Sequence, residues 1–165
     1  MRTQKLLLFL LAGVAALAPL LPAAPLEEDH QAVLSAVQHV FDAMAAHDGA
    51  ALSSLLMPEA SVIAARSGAQ GTSGKTARTT GAEFAERIGA SKDALLERIW
   101  DAKVSIDGPI AHVWAPYEFH HNGVFSHCGI DSISLVKSVD GWKIASIVYT
   151  AKTTGCPVPP PEKQK

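Results

Sequence analysis

From Leu95 to Thr150, apolar and polar residues alternate in runs separated by Asp107-Gly108, Asn122-Gly123 and Asp140-Gly141. Asn-Gly or Asp-Gly between alternating runs is the strongest short-range hairpin signal, because both central residues must reach positive φ. The spacing predicts an antiparallel meander of four strands, roughly Leu95–Ile106, Ile110–His121, Phe125–Lys137 and Trp142–Ala151. Ahead of it the period is helical. Val33, Val37, Val40, Phe41 and Met44 form one apolar stripe on a predicted helix from Glu27 to His47. Glu27, Glu28 and Asp29 favour its N-terminal dipole and Gly49 ends it. Asp48 caps a second, short helix through Leu52, Leu55 and Leu56, stopped by Pro58. Ser61–Ala65 is a brief strand. Thr80 and Glu83 form a capping box for a third helix, Glu83–Ile88. Helices followed by a curled meander make an α+β fold, a cone with one mouth.

Between these elements Ser67 to Gly81 is rich in Gly, Ser and Thr without apolar periodicity, and reads as a long flap at the rim of the cone. Its Gly71-Thr72-Ser73-Gly74-Lys75-Thr76 resembles the end of a phosphate-binding loop. Ala69 stands where that motif needs its first glycine, so nucleotide binding is not expected.

Turn geometry also predicts register. A two-residue turn at Asn122-Gly123 sets Asp131 opposite Trp114, His127 opposite Glu118 and Ile133 opposite His112. A two-residue turn at Asp140-Gly141 sets Asp131 against Thr150, Ile133 against Val148 and Leu135 against Ser146. One face then holds Leu135, Ile133, Val148, Ile144, Trp142 and Trp114, with Asp131, His127, Glu118, His112 and Thr150 among them. This is the expected concave face. The opposite face carries Ser132, Ser134 and Lys143 beside Val113, Tyr117, Phe119 and Ile130, an apolar patch suited to a homodimer. The same register puts Cys128 opposite Thr153, three residues from Cys156. A disulfide between the two cysteines is therefore expected.

The first residues are not read as part of the fold. Arg2 and Lys5 precede an apolar run from Leu6 to Ala24 with small residues at its end, a secretory signal pattern that predicts a periplasmic or secreted protein. Pro25 follows the expected cleavage point and disfavours processing. An uncleaved segment would anchor the chain in a membrane. Losing residues 1–24 removes two positive charges from a chain whose formal charge is already −2. A nucleic-acid partner, which needs a basic face, is not expected. Residues 25–156 suffice for one domain, and the Pro-rich tail from Pro157 to Lys165 is expected to be disordered.

Several segments carry a family resemblance: His47-Asp48-Gly49-Ala50-Ala51-Leu52, Met57-Pro58-Glu59-Ala60, Trp114-Ala115-Pro116-Tyr117-Glu118-Phe119, His127-Cys128-Gly129-Ile130-Asp131 and Asp140-Gly141-Trp142-Lys143-Ile144. In this order and spacing the chain, from about Glu28 to Cys156, resembles the nuclear transport factor 2-like superfamily. It resembles in particular small exported bacterial members of the SnoaL-like and lumazine-binding-like branches. The resemblance implies a cystatin-like cone, a curved antiparallel sheet wrapped round N-terminal helices. It also admits isomerases, dehydratases, cyclases and non-catalytic binding or dimerisation modules. In the ketosteroid-isomerase branch an inward strand aspartate binds an oxyanion, and Asp131 matches that placement. The helix-1 tyrosine of that branch is Val40 here. Its carboxylate base is missing from Val62-Ile63-Ala64-Ala65. Steroid-type isomerisation is not expected.

The residues leave a binding pocket as the first expectation, for a small apolar or aromatic molecule. Its lining would be Trp114, Glu118, His127, Asp131, Thr150 and Trp142, with no cofactor. Asp131 and His127 are the candidate acid–base pair should the protein be a lyase, isomerase or cyclase. The alternative for Asp131 is a buried acceptor that fixes register. His112, His120, His121, His127 and Cys128 supply no tetrahedral set, so no metal is expected.

Overall fold

The computed structural model describes residues 25–66 and 74–160. The expected export segment Met1–Ala24, the front of the expected flap and the last residues of the expected tail lie outside them. Three helices, α1 (Pro25–Ala45), α2 (Gly49–Leu55) and α3 (Gly81–Ala90), accompany seven strands. The strands are β1 (Leu56–Arg66), β2 (Thr76–Thr80), β3 (Leu95–Ile99), β4 (Lys103–Asp107), β5 (Ile110–His121), β6 (Val124–Ser138) and β7 (Gly141–Ala151). The order across the sheet is β2-β1-β7-β6-β5-β3, with β4 also on β5. No helix among the described residues is long and apolar enough to cross a membrane.

The helices form as their sequences dictate. The stripe of Val33, Val37, Val40, Phe41 and Met44 is buried under the sheet. Asp48 accepts from the Ala51 N–H at 2.8 Å and caps α2. Thr80 and Glu83 complete the capping box of α3. The N-terminal end of α1 is pinned by Asp29, which accepts from Lys137 Nζ at 2.6 Å and Trp142 Nε1 at 3.4 Å.

Four features depart from the sequence-based expectation. The first is β1, which runs through Pro58 rather than starting after it. Its ladder to β7 is parallel and skips from Leu56 to Ser61, so Pro58 falls in an irregular stretch where no ladder bond is needed. The second is Thr76–Thr80, the rear of the expected flap. It is an edge strand on β1, recognisable only by its β-branched threonines because it is mostly exposed. The third is the first strand of the expected meander, which breaks in two at Asp101, where φ is +46°. Both pieces pair with β5, and the break lets the sheet curl.

The fourth departure changes which residues face inward. The Asn122-Gly123 hairpin forms as expected, with φ of +53° and +74° and His121 opposite Val124. Just beyond it the ladder slips, so that His120 pairs with Phe125 but Phe119 pairs with His127. One extra residue on β6, Ser126, inverts the facing of β5 relative to β6. Asp131 therefore lies opposite Ala115, Trp114 opposite Ser132, and Glu118 opposite Cys128. On the other side Ser138 pairs with Gly141, and a second slip at Leu135 leaves Asp131 opposite Tyr149, not Thr150. Val113, Ala115 and Tyr117 are buried, and with Phe119 they belong to the concave face. The expected outer patch of Val113, Tyr117 and Phe119 is interior wall.

The disulfide is present. Cys128 and Cys156 are bonded with Cα atoms 5.8 Å apart. Cys128 bridges to Lys152 by two backbone hydrogen bonds, one residue from the expected Thr153. Pro157–Pro160 take no helix or strand.

Candidate functional site

The curl of the sheet leaves a cavity of about 580 Å³ between its concave face and the helices. Helix α1 contributes Phe41 and Met44, and α3 contributes Phe84, Arg87 and Ile88. Strands β1 and β2 supply Val62, Ala64, Arg66, Ala77 and Thr79. From the far wall come Leu95 and Glu97 of β3, Tyr117 and Phe119 of β5, His127 of β6, and Ile147 and Tyr149 of β7. The chamber is mainly apolar, and four rings cluster on one side of it. His127 packs on Phe119 with centroids 5.1 Å apart, meets Tyr117 edge-on at 5.7 Å and lies over Tyr149 at 6.1 Å.

Behind those rings sits an acid pair. Asp131 is 1% exposed, and no backbone N–H, hydroxyl or basic side chain among the described residues bonds its carboxyl oxygens. The group against it is the carboxyl of Glu97, which also lines the cavity. Two carboxyls form a hydrogen bond only while one of them holds a proton. Burial pushes Asp131 up to about 7, while the hydrogen bond from Glu97 works the other way. Burial, then the charge and hydrogen bond of Asp131, drives Glu97 well above the usual glutamate range. The two carboxyls therefore share a proton, because two like charges in one pocket repel. Burial, followed by the charge of Asp131, also raises the Tyr117 phenol. The Tyr149 phenol rises through burial and then the charge of Glu97. His127 moves the opposite way, lowered by burial and then by Arg66, so the ring facing the cavity is neutral at pH 7.

Tyr117 also holds the sheet in shape. It lies opposite Gly129 in the ladder, and its hydroxyl donates to the Thr150 carbonyl at 2.8 Å. Thr150 Oγ1 in turn accepts from the Ile130 N–H at 2.9 Å. A side chain at Gly129 would collide with the Thr150 carbonyl, so only glycine admits this close approach.

Of the residues singled out in the sequence, His127 lines the cavity and Asp131 sits behind its wall. They share a face of β6 without a contact that joins them; the partner of Asp131 is Glu97. The others lie elsewhere. Trp114 is 48% exposed on the outer face. Glu118, also outside, pairs with Arg98 at 2.6 Å and with His120 at 3.4 Å. Thr150 is exposed and engaged with Tyr117 and Ile130. Trp142 is buried against Asp29 and under Lys137, whose Nζ is 5.7 Å from its ring centroid. Glu97, Tyr149, Tyr117 and Arg66 were not singled out as site residues. The parity of Leu95, Glu97 and Ile99 is the signal that would have placed Glu97 inside. Among the described residues no group of three or more His, Cys, Asp or Glu is arranged to hold a metal ion.

Solved structures with the same architecture are numerous. A nuclear transport factor 2-like protein of unknown function from Silicibacter pomeroyi is 21% identical, with a TM-score of 0.57, covering 78% of this chain and 100% of its own. A protein from Streptomyces avermitilis described as a "putative dehydratase" of the same superfamily is 19% identical, with a TM-score of 0.61, covering 78% of this chain and 99% of its own. A nuclear transport factor 2-like protein with a cystatin-like fold from Novosphingobium aromaticivorans is 17% identical, with a TM-score of 0.62, covering 79% and 86%. At these identities the likeness is one of fold. No curated protein sequence matches the chain. Residues 28–150 match the profile of the family described as "Putative lumazine-binding". The match spans most of the chain, from α1 to the end of β7, and the protein therefore belongs to that family, within the nuclear transport factor 2-like superfamily.

Proposed function

We propose that this is an exported protein that binds a small, flat, apolar or aromatic molecule inside the cone. The observation that carries the reading is the cavity itself. Its volume of about 580 Å³ falls within the range of roughly 300–1,000 Å³ usual for small-molecule sites. Its walls are chiefly apolar, and Glu97, His127 and Tyr149 present polar groups among them. An aromatic ring between Phe84 and the ring cluster would bury both faces, and its polar edge would meet Glu97. Export is supported by the secretory pattern of Met1–Ala24 and by the Cys128–Cys156 disulfide, which persists in oxidising compartments.

A thermal-shift screen of aromatic and heteroaromatic compounds tests the reading, run on wild type, Tyr149→Ala and Trp114→Ala. Stabilisation that survives Trp114→Ala and is lost in Tyr149→Ala is expected. A panel without any stabilising compound would overturn the reading, as would one whose effect depends on Trp114.

The acid pair favours a second reading. A carboxyl that keeps its proton near neutral pH, in a mainly apolar chamber, is what general acid catalysis requires. Glu97 would then exchange a proton with a bound carbonyl compound while Asp131 holds Glu97 in its protonated form. Turnover of carbonyl substrates that is unchanged in Glu97→Gln would remove this reading.

A further inference from the structure

This inference rests on the binding reading above and narrows the class of ligand. Arg66 closes β1 and Arg87 lies in the last turn of α3, and both line the cavity. Each acts on groups inside it: Arg66 on His127, and both on Tyr149. The guanidinium of Arg87 lies 5.9 Å from the Phe84 ring centroid. Neither arginine forms an ion pair among the described residues. The segment Ser67–Ser73 that follows Arg66 contains no Asp or Glu.

The acids of the wall do not compensate these charges. Asp93 is engaged by His121 Nε2 at 3.0 Å and Asn122 Nδ2 at 3.0 Å. Glu97 is tied to Asp131, with which it shares a proton. Two guanidinium groups therefore stand at the exposed rim of the chamber, Arg87 within the field of Glu83 one turn back on α3 and neither in an ion pair with an acid of the wall. Planar guanidinium donors match the paired oxygens of a carboxylate or a phosphate, and a mainly apolar chamber favours the carboxylate, which carries the smaller charge.

We propose that the cavity takes a ring compound bearing one carboxylate, with the ring in the chamber and the carboxylate on Arg66 and Arg87. The arginines select the ligand by charge, and the ring cluster holds it by area.

Isothermal titration of the purified protein with 2-naphthoate and its neutral isostere 2-naphthamide tests this. The acid is expected to bind about tenfold more tightly than the amide, the effect of one good charge-assisted contact at a partly exposed site. Added salt should weaken the acid and leave the amide unchanged. Combining Arg66→Gln with Arg87→Gln should abolish the preference, so that the acid and the amide bind this variant alike. Both side chains are exposed, so the melting temperature of this variant should match wild type. An amide that binds as tightly as the acid, or a preference that survives the double substitution, overturns the charge selection and leaves the cavity as a binding site. Absence of binding by both compounds counts against the inference and the binding reading together.

Discussion

Replacing Asp131 with asparagine keeps the side-chain shape and removes one ionisable group from the floor of the cone. Asp131 is almost inaccessible, lies beside Glu97, Tyr117 and Tyr149, and lacks any N–H donor among the described residues. An acid raised in the folded state and ordinary in the unfolded chain destabilises the fold wherever only the unfolded form has lost its proton. Below pH 3.8 both states hold the proton and the aspartate costs nothing. Between 3.8 and about 7 the unfolded state binds fewer protons, so stability falls as pH rises. Above about 7 the loss levels off. Moving an acid from 3.8 to about 7 corresponds to about 4 kcal/mol. Without the charge of Asp131, Glu97 also ionises more readily, which adds in the same direction. Asp131→Asn is therefore expected to match wild type near pH 4 and to exceed it by about 4 kcal/mol at pH 8, or roughly 10 °C in Tm for a domain of this size. Urea denaturation of both proteins across that range, with the disulfide kept oxidised, measures the difference. The effects of other acids, such as Asp29 and Glu83, cancel in the comparison. A variant equal to or weaker than wild type at pH 8 refutes the argument that Asp131 is a poorly compensated buried acid.

Other consequences are equally direct. Gly129→Ala forces a methyl group into the Thr150 carbonyl and should cost about 3 kcal/mol in urea denaturation; an effect near zero would show that β6 and β7 do not approach as described. Reduction of Cys128–Cys156, or Cys156→Ala, opens a loop with a separation of 28 residues and should cost about 3–4 kcal/mol in thermal or chemical denaturation. His127 should titrate below the ordinary 6.5 when its ring is followed by NMR, and a value above 6.5 would place it outside the apolar chamber.

Much of this architecture is legible in the chain. The α1 stripe, the Asp48 cap, the Thr80–Glu83 capping box and the Asn122-Gly123 hairpin follow from local chemistry, which a sequence states openly, and the disulfide from a strand register that is one residue off at Cys128. The site was harder because inward facing depends on register, and register depends on single inserted residues. Ser126 shifts β6 by one position relative to β5 and moves Trp114, Glu118 and His112 from the expected inner face to the outer one. The pattern of β5 itself carries the answer: Ala111, Val113, Ala115, Tyr117 and Phe119 share one face, while His112, Glu118 and His120 all fall on the other, with Trp114 and Pro116. That alternation is a stronger constraint than turn arithmetic, because a half-buried strand hides its apolar side whatever the turn. Glu97 was missed for a different reason. A glutamate between Leu95 and Ile99 resembles a surface residue until its partner, Asp131, is known to lie within reach across the sheet. Both β1, carried through Pro58, and the exposed edge strand β2 owe their existence to long-range pairing, which no local signal announces.

The central claim is that ligands enter the hollow beside Phe84 and reach the ring cluster in front of the Glu97–Asp131 pair. Two-dimensional NMR of labelled protein during titration with 2-naphthoate addresses it most directly. The largest shift changes should fall on Phe84, Glu97, His127 and Tyr149, with Trp114, Ser132 and Val148 unmoved. Changes concentrated on Trp114, Ser132 and Val148 would put binding on the outer face of the sheet and contradict the account.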